Sequence, residues 1–175
     1  MENKVSLWKN SVNYGLLAGI LMVAFSLIQW LLGLMEIQAL GFVGYLILAF
    51  FMYVGAKNWR DKFNDGWMTY GEAFKTGFYI TLISVVIGVI YQYVFLNFID
   101  PEFLANQLIK AEEAILERSP NISDADLEKA MSISAKFTSG TMVAVMALVM
   151  GIIFGTILSA IVAIFAKKEN KSLAA

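Results

Sequence analysis

Residues 141–166 read TMVAVMALVMGIIFGTILSAIVAIFA, a run of 26 residues without a charged side chain. An α-helix rises about 1.5 Å per residue, so roughly 20 residues cross a hydrocarbon core about 30 Å thick. Lipid admits only helices and closed barrels as spanning structures, and this run lacks the alternating pattern of a barrel strand. It therefore predicts a transmembrane helix.

Three further charge-free runs of comparable length, residues 10–35, 37–56 and 76–99, precede this one. The chain of 175 residues is 59% hydrophobic and 15% charged. A typical soluble domain is about 45–50% apolar and about 25% charged. The sequence therefore predicts an all-α, polytopic membrane protein with four transmembrane helices in a four-helix bundle, forming a single membrane domain over residues 1–175.

Lysine and arginine are distributed unevenly among the connections between the predicted spans. With the N-terminus inside, nine basic residues fall on the cytoplasmic side and four on the other side. The cytoplasmic set is Lys4, Lys9, Lys57, Arg60, Lys62, Lys75, Lys167, Lys168 and Lys171, and the external set is Lys110, Arg118, Lys129 and Lys136. Short loops rich in basic residues stay in the cytoplasm. We therefore expect both termini on the cytoplasmic side.

The connection between the third and fourth spans, residues 100–140, carries eight acidic and four basic residues. Asp100, which is followed by proline, is a predicted N-cap of a helix that should end before Pro120. Ser123 and Asp126 resemble a capping box and predict a second helix. The sequence thus predicts an external, extramembrane helical hairpin. A solvated acidic face is the favoured interpretation over a cation site, because no calcium-loop pattern is present.

The fourth run repeats a small residue at every fourth position. The ridge consists of Ala147, Gly151, Gly155, Ser159 and Ala163. Similar faces are predicted in the first run by Gly15 and Gly19, and in the third by Gly77, Thr81, Ser84 and Gly88. Small residues let helix backbones approach closely in lipid. We expect the ridge to pack inside the bundle, with packing between two chains as the open alternative.

Aromatic side chains recur at helical spacing between the second and third runs. They are Trp59, Phe63, Trp67, Tyr70, Phe74 and Phe78, and Gly66 and Gly71 interrupt the stripe. Such a stripe is typical of a helix that lies in the headgroup region with its rings toward lipid. We favour an aromatic belt at the ends of spans two and three over a ligand site.

Several classes of site are excluded by composition. Cysteine and histidine are absent, which removes disulfides, thiol nucleophiles, histidine chemistry and the usual zinc sites. No charged residue lies within the four runs, which argues against a proton-coupled pump. The net charge of −1 provides no basic field for nucleic acid. We therefore predict no catalytic residue, no metal site, no cofactor and no nucleic-acid partner.

Three classes of function follow in order of preference. The first is a structural or accessory membrane component whose partners are the lipid bilayer and either another membrane protein or further copies of the chain. The alternative is a small uncoupled carrier or channel component, which needs a water-accessible cavity lined by uncharged polar groups. An enzyme is the least favoured class, since only Glu72 and Lys75, near Arg60 and Asp65, offer an acid and a base at the cytoplasmic rim.

The segment GWMTYGEAFKTG, residues 66–77, precedes and enters the third span. It resembles the uncharacterised bacterial four-span membrane family known as domain of unknown function 4199, which is common in Bacteroidetes. Members share four spans, a glycine-and-aromatic segment entering the third, and an Asp-Pro element after it, here Asp100-Pro101. The resemblance covers nearly the whole chain. It implies an inner-membrane location and brings no activity, cofactor or catalytic residue.

Overall fold

The computed structural model describes residues 5–169, which contain six α-helices and no strand. The helices are α1 (Leu7–Leu31), α2 (Gln38–Phe63), α3 (Tyr70–Val94), α4 (Phe103–Arg118), α5 (Asp124–Phe137) and α6 (Gly140–Ala166), and a π-helical turn (Phe95–Ile99) continues α3. Four of them are long and apolar enough to cross a membrane: α1, α2, α6, and α3 together with its π-helical turn. The all-α class and the four long apolar helices are therefore confirmed.

Two helices extend beyond the charge-free runs that predict them. α2 continues past residue 56 to Phe63, and α3 begins at Tyr70 rather than at residue 76. Between them Asp65 and Gly66 adopt positive φ angles of 52° and 79°. The helices extend beyond the charge-free runs because charged side chains near a helix end interrupt the hydropathy pattern without breaking the backbone hydrogen bonds. They end only where the backbone turns. The aromatic stripe is thus divided between the end of α2, the turn and the start of α3.

The chain forms two compact units, each defined by its own internal contacts. In the described part of the chain, one unit comprises residues 5–88 and 150–169, and the other comprises residues 89–149. We call the first the bundle unit and the second the hairpin unit. The single membrane domain stays a prediction.

Glycines bring α1 and α3 of the bundle unit into close contact. A Cβ atom added to Gly15 would lie 2.7 Å from Cβ of Ile83, and one added to Gly19 would lie 2.6 Å from Cδ1 of Ile87. The Ser84 hydroxyl donates a hydrogen bond to the carbonyl of Gly15 at 3.1 Å. The glycines predicted to form a small face in the first span therefore pack against α3, where they meet Ile83, Ile87 and Ser84.

The small-residue ridge of α6 faces α3 within the same chain. A Cβ atom on Gly155 would overlap the Thr81 side chain, and one on Gly77 would lie 2.9 Å from Oγ of Ser159. Gly155 and Ser159 are buried, whereas Ala147, in the hairpin unit, is exposed. The prediction of packing inside the bundle is confirmed for the C-terminal part of the ridge.

In the hairpin unit, α4 and α5 pack against each other, so the two helices predicted in this region are confirmed. Ser123 accepts the backbone N–H of Asp126 at 3.2 Å and caps α5 as predicted. The predicted start of α4 is wrong, because the helix begins at Phe103 and Asp100 is not its N-cap. The N–H of Asp100 instead donates to the carbonyl of Phe95 at 2.8 Å, which closes the π-helical turn.

Candidate functional site

One end of the bundle unit combines buried apolar, aromatic and charged side chains. There the end of α2, the turn after it, the start of α3 and the residues at the end of α6 meet. We call this region, residues 56–73 with 163–168, the junction. Its buried core consists of Ala56, Trp59, Met68, Ala73, Ala163 and Ala166.

A two-way backbone contact joins the turn after α2 to the segment after α6. The N–H of Met68 donates to the carbonyl of Lys168 at 2.9 Å, and the N–H of Lys168 donates to the carbonyl of Met68 at 2.8 Å. Met68 is only 1% exposed, so its backbone groups need partners within the protein. This contact fixes the segment after α6 against the α2–α3 turn.

Arg60 links α2 to the end of α6. Its Nη1 donates to the carbonyl of Ala166 at 2.9 Å, and its Nε donates to Oδ1 of Asp61 at 2.7 Å. The last carbonyls of a helix have no partner within the helix and carry partial negative charge. The guanidinium group therefore caps α6, and its side chain is only 13% exposed.

An aromatic ring and a cation meet at the surface of the junction. Nζ of Lys168 lies 5.1 Å from the ring centroid of Trp67, within the range of a cation–π interaction. Both residues are exposed. The ammonium group of Lys168 is therefore held at the surface beside an indole.

The indole of Trp59 is buried in the core of the junction, where its Nε1 has no hydrogen-bond partner among the described residues. An unpaired donor in apolar surroundings carries a desolvation cost of about 1–3 kcal/mol. Trp59 therefore packs like an apolar side chain, and its unpaired N–H makes this burial less favourable in free energy.

Glu72 is part of a capping box at the start of α3. Its Oε2 accepts from the N–H of Thr69 at 2.8 Å and from the Thr69 hydroxyl at 2.9 Å, while the N–H of Glu72 donates to that hydroxyl at 3.3 Å. The Thr-x-x-Glu spacing is the sequence signal that predicts this box. Of the two residues considered as acid and base, Glu72 is thus bonded to Thr69 and Lys75 is exposed on α3. Their expected neighbour Arg60 caps α6, and Asp65 lies in the turn. Within residues 5–169, no group of three or more His, Cys, Asp or Glu is placed to hold a metal ion.

Two amides join α1 to α2 at the edge of the junction. Nδ2 of Asn10 donates to the carbonyl of Gly55 at 2.9 Å, and Nδ2 of Asn58 donates to Oδ1 of Asn10 at 2.8 Å. Neither asparagine contact is predicted from the sequence. The available signal was their position, since Asn10 begins the first charge-free run and Asn58 follows the second.

A family model described as "Protein of unknown function (DUF4199)" matches residues 13–168. The match includes parts of all six helices and the whole junction. The chain belongs to this family. The resemblance carried by residues 66–77 is therefore confirmed, while an occurrence in Bacteroidetes stays a prediction. No curated protein and no solved structure matches the chain.

In this DUF4199 chain the junction also gathers positive charge. Lys57, Arg60 and Lys168 all lie close enough to the Asp61 carboxylate to attract it electrostatically. Three positive charges against one negative charge leave this group with a net charge of +2. The junction thus combines a fixed backbone, a buried aromatic core and an excess of positive charge at its surface.

Proposed function

We propose that the chain is a structural or accessory component of the cell inner membrane that binds another membrane protein. Its four apolar helices indicate a multi-pass membrane protein, and the matching family is one of unknown function. The alternative is a small uncoupled carrier or channel component.

The hydrogen bonds of the buried Asn, Ser and Thr side chains support the accessory role. Among residues 5–169, six Asn, Ser and Thr side chains are buried, and each makes a hydrogen bond with the chain itself: Asn10, Ser11, Thr76, Thr81, Ser84 and Ser159. A carrier would need polar groups that are free to bind a solute or to hold water along a path. Their engagement within the bundle unit therefore favours a packed scaffold over a carrier.

The proposed orientation places both termini and the junction in the cytoplasm, and the hairpin unit's α4 and α5 outside. The excess of basic residues on the junction side supports this orientation. α4 has 16 residues and α5 has 14, fewer than the roughly 20 that cross a bilayer. Their length and acidic composition therefore support an extramembrane hairpin.

Single cysteines provide a test of the orientation, because the natural chain has none. We expect Ser123→Cys in intact cells to react with a maleimide that cannot cross the inner membrane. Lys62→Cys should react only after the inner membrane is permeabilised. Labelling of Lys62→Cys but not Ser123→Cys in intact cells would overturn the orientation.

Site-specific photo-crosslinking and reconstitution together test the role. A photoreactive residue at the exposed Ile157 or Ile161 of α6 should give one discrete adduct with a membrane protein, and the same residue at the buried Ala163 should not. Liposomes containing the purified chain should show no more flux of small uncharged solutes than protein-free liposomes. Solute flux without a discrete adduct would overturn the accessory role in favour of the carrier.

A further inference from the structure

The positive charges at the junction exceed what the fold itself uses. Capping of α6 needs only Arg60, whose Nη1 reaches the carbonyl of Ala166. The Asp61 carboxylate is already hydrogen-bonded by the same guanidinium group. Lys57 and Lys168 are exposed, and they attract Asp61 only at longer range. Two ammonium groups therefore remain able to bind an anion at the surface.

An exposed apolar stripe on α2 leads directly to this charge. Its side chains recur at helical spacing. Their exposed fractions are 70% for Phe42, 68% for Leu46, 60% for Phe50 and 39% for Tyr53. The next position of the same stripe is Lys57. From Phe42 to Lys57 the stripe is about 22 Å long, at about 1.5 Å per residue. This is somewhat longer than one leaflet, which is half of a hydrocarbon core about 30 Å thick. An acyl chain can therefore lie along it with its headgroup at Lys57.

Trp67 lies beside the second of these ammonium groups. Its ring is 38% exposed and holds Nζ of Lys168 at 5.1 Å. Indole rings concentrate at the boundary between hydrocarbon and headgroups. An indole beside an ammonium group is the combination expected at the level of a phospholipid's phosphate.

We propose that Lys57 and Lys168, together with Arg60, bind the phosphate of an anionic phospholipid whose acyl chains lie along the exposed stripe of α2. Basic pockets at the ends of membrane helices recognise anionic headgroups by this chemistry. The net charge of +2 in the group favours an anionic lipid over a zwitterionic one. The proposal rests on the membrane location of the chain and is independent of its accessory role.

Quenching of tryptophan fluorescence by brominated lipids provides the test in mild detergent. The purified full chain is titrated with brominated phosphatidylglycerol and, separately, with brominated phosphatidylcholine. We expect Lys57→Gln/Lys168→Gln to weaken phosphatidylglycerol binding roughly thirty-fold, because each basic residue near an anionic surface contributes about a fivefold preference. The matched control Lys129→Gln/Lys136→Gln changes the net charge equally but lies in the hairpin unit, and it should bind like the wild type.

The location of the lipid is tested separately. Trp67→Phe should remove the part of the quenching that is specific to phosphatidylglycerol, leaving the part that arises from the other three of the four tryptophans.

Thermal unfolding checks that each variant is folded, and Lys168→Glu is a second variant that leaves α2 unchanged. It should abolish the preference for phosphatidylglycerol.

Four outcomes would overturn the proposal. They are equal affinity for the two lipids, equal weakening by the control variant, unchanged quenching in Trp67→Phe, and displacement of the lipid by inorganic phosphate at similar concentration. The last outcome would assign the site to a free anion. None of them changes the crosslinking or labelling results, so failure of the lipid site is distinguishable from failure of the proposed function.

Discussion

The bundle unit and the hairpin unit bury their residues to very different extents. In the bundle unit, buried residues lie on α1, α2, α3 and α6 and include six polar side chains. Among residues 89–149, only Phe95 is buried, with 4% exposure. The faces of α4 and α5 are amphipathic but carry no ridge of small residues. Amphipathic patterning therefore gives half-buried faces here, whereas small residues allow the close backbone approach that buries both apolar and polar groups.

Helix α6 contributes to both units and shows the same contrast within one helix. Its first part exposes large apolar side chains such as Val145 and Leu148, whereas Gly155, Ser159 and Ala163 are buried. Ala147 continues the ridge but is exposed. A small residue therefore leads to close packing only where a partner helix faces it.

The largest effect is expected from placing a large side chain at a glycine that contacts another helix. Gly155→Leu should destabilise the bundle unit by about 3 kcal/mol, because its side chain would displace Thr81 from a well-packed interface. The matched control is Gly88→Leu on α3, where an added Cβ has no neighbour within 4 Å. Unfolding in mild detergent measures both. Equal stability of the two variants would contradict the assignment of the ridge to an internal interface.

A smaller effect is expected from the amides that join α1 to α2. Asn10→Leu should cost about 1 kcal/mol, because it removes one hydrogen bond to the Gly55 carbonyl and one from Asn58. Asn13→Leu is the control, since Asn13 is exposed on the same helix. Thermal unfolding in mild detergent compares them. A loss of stability in Asn13→Leu as large as that in Asn10→Leu would argue against a specific amide contact.

The smallest effects compare the helix caps of the two units. Thr69→Ala removes the cap of α3 and should lower the stability of the bundle unit by about 0.5 kcal/mol. Ser123→Ala removes the cap of α5 and should leave unfolding of the bundle unit unchanged. Hydrogen exchange should instead become faster at the start of α5. A loss of bundle stability in Ser123→Ala would mean that the two units unfold together.

Hydropathy and residue size predicted much of the fold. The four long helices, the small-residue faces and the cap at Ser123 follow from properties of single residues and their spacing. The end of α2 and the start of α3 were not predicted, because charged residues end a hydropathy run before the helix itself ends. The backbone turns only at Asp65 and Gly66. The start of α4 was also missed, because the backbone of α3 continues as a π-helical turn through Ile99.

By itself, the sequence determined that this chain has four helices able to cross a membrane and that small residues line their contacts, since both depend on local composition and period. Only the tertiary structure decided the junction. Arg60 meets the carbonyl of Ala166 across 106 residues, and Met68 pairs with Lys168 over a similar separation. No local signal encodes such contacts, because they form only when packing of α3 against α6 brings the end of α6 beside the α2–α3 turn.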